Sequence, residues 1–180
     1  MIFYDQEMEG CQQETVVLKR IELAPEVLTA EIPQQMEPMS GAFRDMFYPY
    51  DNRPEVILSD REGSAQLTFA MLDKDMLPGE CGDAAEAVRS YTEEEYPHNW
   101  ISPVVCFRGG EVPVCWFLMI LTEEDRQRHH VKAVFSVWGR FCLATFTYPE
   151  QERTKWEAIV KRFFSTLHIE ERKDETGAGY

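Results

Sequence analysis

Four times along this chain of 180 residues, two apolar-patterned runs stand only a few turn-forming residues apart. The Val-, Ile- and Leu-rich run Thr15 to Leu23 is followed by Pro25. Leu28, Ala30 and Ile32 then alternate with Thr29 and Glu31 up to Pro33. Glu55 to Ser59 and Ser64 to Leu72 flank Asp60-Arg61-Glu62-Gly63, with Ala65, Leu67, Phe69 and Met71 on one side and Gln66 and Thr68 on the other. Trp100 to Arg108 and Val112 to Thr122 flank Gly109-Gly110. Val131 to Trp138 and Phe141 to Tyr148 flank Gly139-Arg140. A period of two marks a β-strand with one buried face. Connections this short join only antiparallel neighbours, because parallel ones need a crossover of a dozen or more residues. In the last run both faces are apolar enough for each to be covered.

Helical signals separate these groups. Ser40 is placed to cap a short helix over 41–47, with Phe43, Met46 and Phe47 on one side and Tyr48-Pro49 ending it. A second helix is predicted over 84–95. Asp83 would be its N-cap, Glu86 the capping-box partner, Ala84, Ala87, Val88 and Tyr91 the inner stripe, and Pro97 the stop. In the last helix Pro149 suits the first turn, and Glu150 and Glu152 complement the dipole. Trp156, Ile159, Val160, Phe163 and Leu167 then form one apolar stripe on a charged cylinder. Such an order predicts an α+β fold: an antiparallel β-sheet flanked by helices, with the C-terminal amphipathic helix packed on the sheet. The expected organisation is a single domain over 15–169, between an acidic N-terminus (1–14) and a polar tail (170–180) that fray.

Eighteen Lys and Arg against 32 Asp and Glu leave a net charge of −14. That balance argues against nucleic acid, whose phosphates need clustered cations, and against an anionic membrane surface. Val112 to Leu121, interrupted by Pro113, is about half the ~20 apolar residues of a membrane span. Met1 to Glu7 lacks the basic and apolar regions of a secretory leader. Cys11, Cys81, Cys106, Cys115 and Cys142 contain no C-x-x-C pair. They are expected as free thiols, mostly buried, in a reducing cytoplasm.

No phosphate-binding glycine loop, nucleophile elbow or H-E-x-x-H motif is present. His129-His130, after Glu123-Glu124-Asp125-Arg126, is expected in a polar hairpin loop. In a strand, adjacent histidines would point to opposite faces and not share an ion. Pairing Cys106 with His129 matches no nucleophile signature. Asp73, Asp75 and Glu80 fail the calcium-loop spacing because Leu77 takes the third ligand position. No catalytic residue, cofactor or metal is therefore expected. Two groups suit a protein partner. Glu93, Glu94 and Glu95 oppose the dipole at a helix C-terminus and offer a docking patch for a basic partner. Phe43, Phe47 and Tyr48, with Met36, Met39, Met46 and Tyr50, form either a plug over one end of the core or an adaptable partner groove.

The run Leu28-Thr29-Ala30-Glu31-Ile32-Pro33, the hairpin closing in Leu67-Thr68-Phe69, the Trp138-Gly139-Arg140-Phe141 turn and the Trp156…Leu167 helix together resemble the PsbP/Mog-type α/β/α sandwich. The segment Tyr48-Pro49…Arg53-Pro54-Glu55-Val56-Ile57…Gln66-Leu67-Thr68-Phe69 is similar to uncharacterised bacterial relatives of that group. Members such as the photosystem II extrinsic subunit and a Ran-binding nuclear import factor are non-enzymatic binding modules. The resemblance thus implies an interaction role, with the acidic surface meeting another protein. The alternative is a small-ligand binder or enzyme, with a pocket between sheet and helix lined by Trp100, Trp116 and Trp138. A homodimer through an open sheet edge is a third possibility.

Overall fold

The computed structural model describes residues 15–172, so Cys11 and the expected fraying of 1–14 and of the tail beyond 172 lie outside the described residues. Leu18–Ala24 (β1) and Leu28–Pro33 (β2) form the first antiparallel hairpin. Its turn places Glu26 at φ +57°. The second edge of β2 is taken by His168–Ile169 (β11), giving a three-stranded sheet in the order β1-β2-β11.

The larger sheet is assembled from Glu37–Pro38 (β3), Val56–Ser59 (β4), Gln66–Asp75 (β5), Trp100–Ile101 (β6), Val105–Phe107 (β7), Val114–Glu123 (β8), Arg126–Val137 (β9) and Arg140–Pro149 (β10). Its order is β3-β4-β5-β10-β9-β8-β6, with β7 also on β8, and every pairing is antiparallel. Three α-helices accompany it: Gly41–Phe47 (α1), Cys81–Glu95 (α2) and Arg153–Thr166 (α3).

Alternation along β9 divides the core in two. Val131, Ala133, Phe135 and Val137 join Leu28, Ala30 and Ile32 of β2 and Trp156, Ile159, Val160, Phe163 and Phe164 of α3. Val134 points the other way, joining Cys115 and Phe141 against Cys81 and Ala85 of α2. Both faces of the sheet are thus covered. The stripe on α3 lies against the sheet as its spacing requires.

Four local expectations are corrected. The β9–β10 turn is Trp138-Gly139 rather than Gly139-Arg140, because Arg140 already pairs with Val137. Both turn residues have positive φ, 51° and 75°, as a two-residue turn matched to strand twist requires. The strand expected over Trp100 to Arg108 is split into β6 and β7. Pro103 has no N–H to donate there, and Ser102 instead bonds Leu118 through its backbone N–H and its hydroxyl. Next, α2 starts at Cys81 rather than residue 84, and Asp83 is not its cap. Its buried positions are Cys81, Ala85 and Thr92, leaving Tyr91 exposed. With alanines at 84, 85 and 87 the apolar pattern is degenerate. The segment just upstream settles the rotation, since Met76 bonds Gly139 and accepts from the Ser136 hydroxyl.

The fourth correction concerns the thiols. Cys106 and Cys115 are directly opposed on β7 and β8 and form a disulfide, while Cys81 and Cys142 are free and buried. A reducing compartment inferred from five free thiols loses that support. The bridge closes a loop of sequence separation 9. Loop-closure entropy for such a loop is worth about 2–3 kcal/mol. Adding a dithiol reductant, or replacing both cysteines by Ser, is expected to lower the urea midpoint accordingly. An unchanged midpoint would refute a structural role for the bridge.

Candidate functional site

A cleft of about 400 Å³ opens between α3 and the edge of the large sheet. Strand alternation builds one wall: Val105 and Phe107 of β7, then Trp116 and Leu118 of β8, share the face toward α3. Helical spacing builds the other, since Glu157, Val160, Lys161 and Phe164 lie at i, i+3, i+4 and i+7. Phe164 joins the walls, its ring centroid 5.8 Å from Phe107 and 6.2 Å from Trp116. Gly110 lets the β7–β8 loop close against the end of α3. A Cβ there would stand 2.8 Å from the Phe164 carbonyl oxygen. Polar groups are few in the lining, with Glu157 and Lys161 exposed on the helix wall.

Tyr148 reaches the cleft from a ring stack, with centroids 5.3 Å from His129 and 5.9 Å from Trp156. Burial pushes its phenol up to about 12, reinforced by Glu157 and Glu150. The hydroxyl therefore stays protonated at neutral pH. The chemistry of these walls is apolar enclosure.

The two histidines are not in a loop. β8 and β9 join through Glu124-Asp125, with Glu123 paired to Arg126, so His129 and His130 lie within β9 on opposite faces. His129 is buried on the α3 side. Its Nε2 meets the Glu150 carboxylate, and its Nδ1 has no partner. On the α2 side, His130 Nδ1 lies 3.3 Å from the Thr147 hydroxyl, and its Nε2 has no partner. Burial, followed by Lys132, Arg128 and His129, pulls His130 down to about 4. Lys132 is also lowered by burial, and it forms no ion pair among the described residues.

The anticipated partner residues do not converge. Glu93 is held by Arg89 at 2.8 Å, and Arg89 also donates to the Ser102 carbonyl. Glu94 and Glu95 are exposed on α2. At the far end of the sheet Tyr48 donates to Gln66 Oε1 at 2.8 Å. Phe43 and Phe47, 6.1 Å apart, cover Gly63, whose φ is +73°. Met36 and Met39 are buried, whereas Met46 and Tyr50 are 62% and 67% exposed. Of the three tryptophans expected around a pocket, only Trp116 lines the cleft. Trp100 is exposed on β6, and Trp138 bonds the Glu170 carbonyl with Arg172 over its ring. Cys106, tied to Cys115, borders the cleft and makes no pair with His129.

No family model matches the chain, and no curated protein matches it in sequence. Solved structures do match it in shape. Cyanobacterial PsbP (CyanoP) from Synechocystis sp. PCC 6803 is similar at a TM-score of 0.59 and 10% identity, over 90% of this chain and 98% of that one. A crystal structure from Bacteroides thetaiotaomicron matches at 0.56 and 10% identity, over 86% of this chain and 49% of that one. LpqN of Mycobacterium tuberculosis, described as involved in cell envelope biogenesis, matches at 0.50 and 9% identity, over 89% and 88%. The chain has a PsbP-like α+β fold with an antiparallel sheet.

Proposed function

We propose that this chain is a binding protein whose ligand is a small apolar molecule held between α3 and strands β7 to β10. The observation that carries this reading is the cleft itself, about 400 Å³ walled by Phe107, Trp116, Leu118, Val160 and Phe164. Its size falls in the ~300–1,000 Å³ range of small-molecule sites, which are mostly apolar with a few polar groups that orient the ligand. Tyr148 and the rim pair Glu157 and Lys161 supply those groups.

An environment-sensitive apolar fluorophore is expected to bind saturably, with a shift in tryptophan emission from Trp116. Val105 lies in the cleft wall yet is 49% exposed. Val105→Glu therefore leaves the fold intact while placing a carboxylate at the mouth. It is expected to weaken binding at least tenfold. A wild-type protein that binds no such probe, or a variant that binds equally well, would sink the assignment. A second reading, a protein-docking module, is favoured by the exposed side chains of Met46, Phe47 and Tyr50 around α1.

A further inference from the structure

On the α2 side of the large sheet, β9 carries His130 and Lys132 two residues apart. β10 sets Thr147 opposite His130 and Thr145 opposite Lys132, and β5 sets Thr68 opposite Thr145. The neighbours on β8 are apolar and buried, with Met119 opposite His130 and Phe117 opposite Lys132. A polar block thus interrupts an apolar sheet face.

Its hydrogen-bonding demand is one-sided. The Lys132 ammonium donates only and has no counter-charge among the described residues. The Thr147 hydroxyl can donate to Nδ1, and in that tautomer the neutral His130 ring carries its hydrogen on Nε2, the buried atom without a partner. Thr145 adds a further donor. A half-buried cation without a counter-charge is costly, and ionisable groups perturbed in this way cluster at functional sites.

We propose that Lys132, His130 and Thr145 form a binding site for a carboxylate, separate from the cleft beside α3. Neighbouring side chains on one sheet face stand roughly 5–7 Å apart. One carboxylate spans that gap with a hydrogen bond of about 2.8 Å from each oxygen. Lys132 and His130 are half-buried, and His130 Nε2 itself is covered. A ligand arriving from solvent therefore meets Lys132 first and reaches Nε2 only by displacing the side chains over it. The net charge of −14 favours a monoanion over a dianion, which the protein's own field repels twice as strongly.

The test titrates the full chain with sodium acetate, inorganic phosphate and sodium chloride at matched ionic strength. It follows the His130 ring resonances by NMR and the thermal midpoint. Acetate is expected to shift both saturably, with chloride inert and phosphate weaker. Lys132→Met is expected to weaken acetate binding at least tenfold while melting no lower than wild type without acetate. The near-isosteric Thr145→Val is expected to weaken binding severalfold. Equal responses to acetate and chloride, tighter binding of phosphate, or undiminished acetate binding by Lys132→Met would each overturn the proposal.

Discussion

Between pH 7 and pH 4 the protein is expected to lose about 3 kcal/mol of stability through His130, at about 1.36 kcal/mol for each pH unit. The ring's ordinary value of 6.5 is depressed in the fold to about 4, first by burial and then by the nearby positive charges of Lys132 and Arg128. Above pH 6.5 the imidazole is neutral in both states, and its contribution is complete. As the pH falls below 6.5 the unfolded chain takes up a proton that the folded chain refuses, so the balance shifts toward unfolding. Below about 4 both states are protonated and no further loss accrues. Carboxylates titrate in the lower part of this window, so the measurement compares two proteins. Urea denaturation of wild type and His130→Gln at pH 7, 5.5 and 4 isolates the ring. The variant has its own cost at pH 7 but is expected to lose about 3 kcal/mol less on acidification. Parallel pH profiles would show that His130 is solvated after all.

That histidine also shows where sequence patterning stops. Leu67 and Phe69, or Trp156 through Leu167, announce their elements because burial repeats at the period of the backbone. From Thr122 to Arg128 the hairpin runs past its apolar part. It is held there by backbone pairing, with Glu123 opposite Arg126, so a strand containing two histidines reads as a polar loop. The disulfide was hidden by register. Cys106 and Cys115 are symmetric about Gly110-Glu111, a signal that becomes usable only once the hairpin's turn is centred there. Turn chemistry misled by one residue at Trp138-Gly139, because a tryptophan occupies a left-handed position that glycine or asparagine usually fills.

The cleft was partly legible. A space between sheet and helix follows from stacking one on the other, and Trp116 was named for it. Which tryptophans face it depends on the side of the sheet each occupies. Trp116 and Leu118 fall on the α3 side by strand parity, while Trp138 is consumed by a turn and Trp100 sits on a two-residue edge strand. Glu93 on α2 has Arg89 one turn earlier, an i,i+4 pairing visible in the sequence. The bond from Arg89 to the Ser102 carbonyl that fixes this arginine is, by contrast, a contact no local pattern contains.

Phe163→Ala is expected to cost about 3–5 kcal/mol, the range for truncating a buried phenylalanine and leaving its cavity partly unfilled. The ring is fully buried between α3 and the sheet. It meets Phe146 edge-on at 4.9 Å, with Phe164 6.3 Å away. A domain of this size holds ~5–15 kcal/mol in total, so one side chain would remove a large share. At ~2–4 °C per kcal/mol the thermal midpoint should fall by roughly 10 °C. Lys161→Ala, on the exposed side of the same helix, is the internal control and should stay within about 0.5 kcal/mol. The contrast bears on function as well as fold. Phe164, the next residue, shapes the cleft, so α3 must be seated by Phe163 for the Phe107–Trp116–Phe164 wall to exist. Phe163→Ala should therefore weaken binding of an apolar probe even under conditions where it remains folded, whereas Lys161→Ala removes only a polar rim group of the cleft and should leave its apolar walls in place. A Phe163→Ala protein as stable as Lys161→Ala would mean that α3 does not seal the sheet, and the cleft would lose its helix wall.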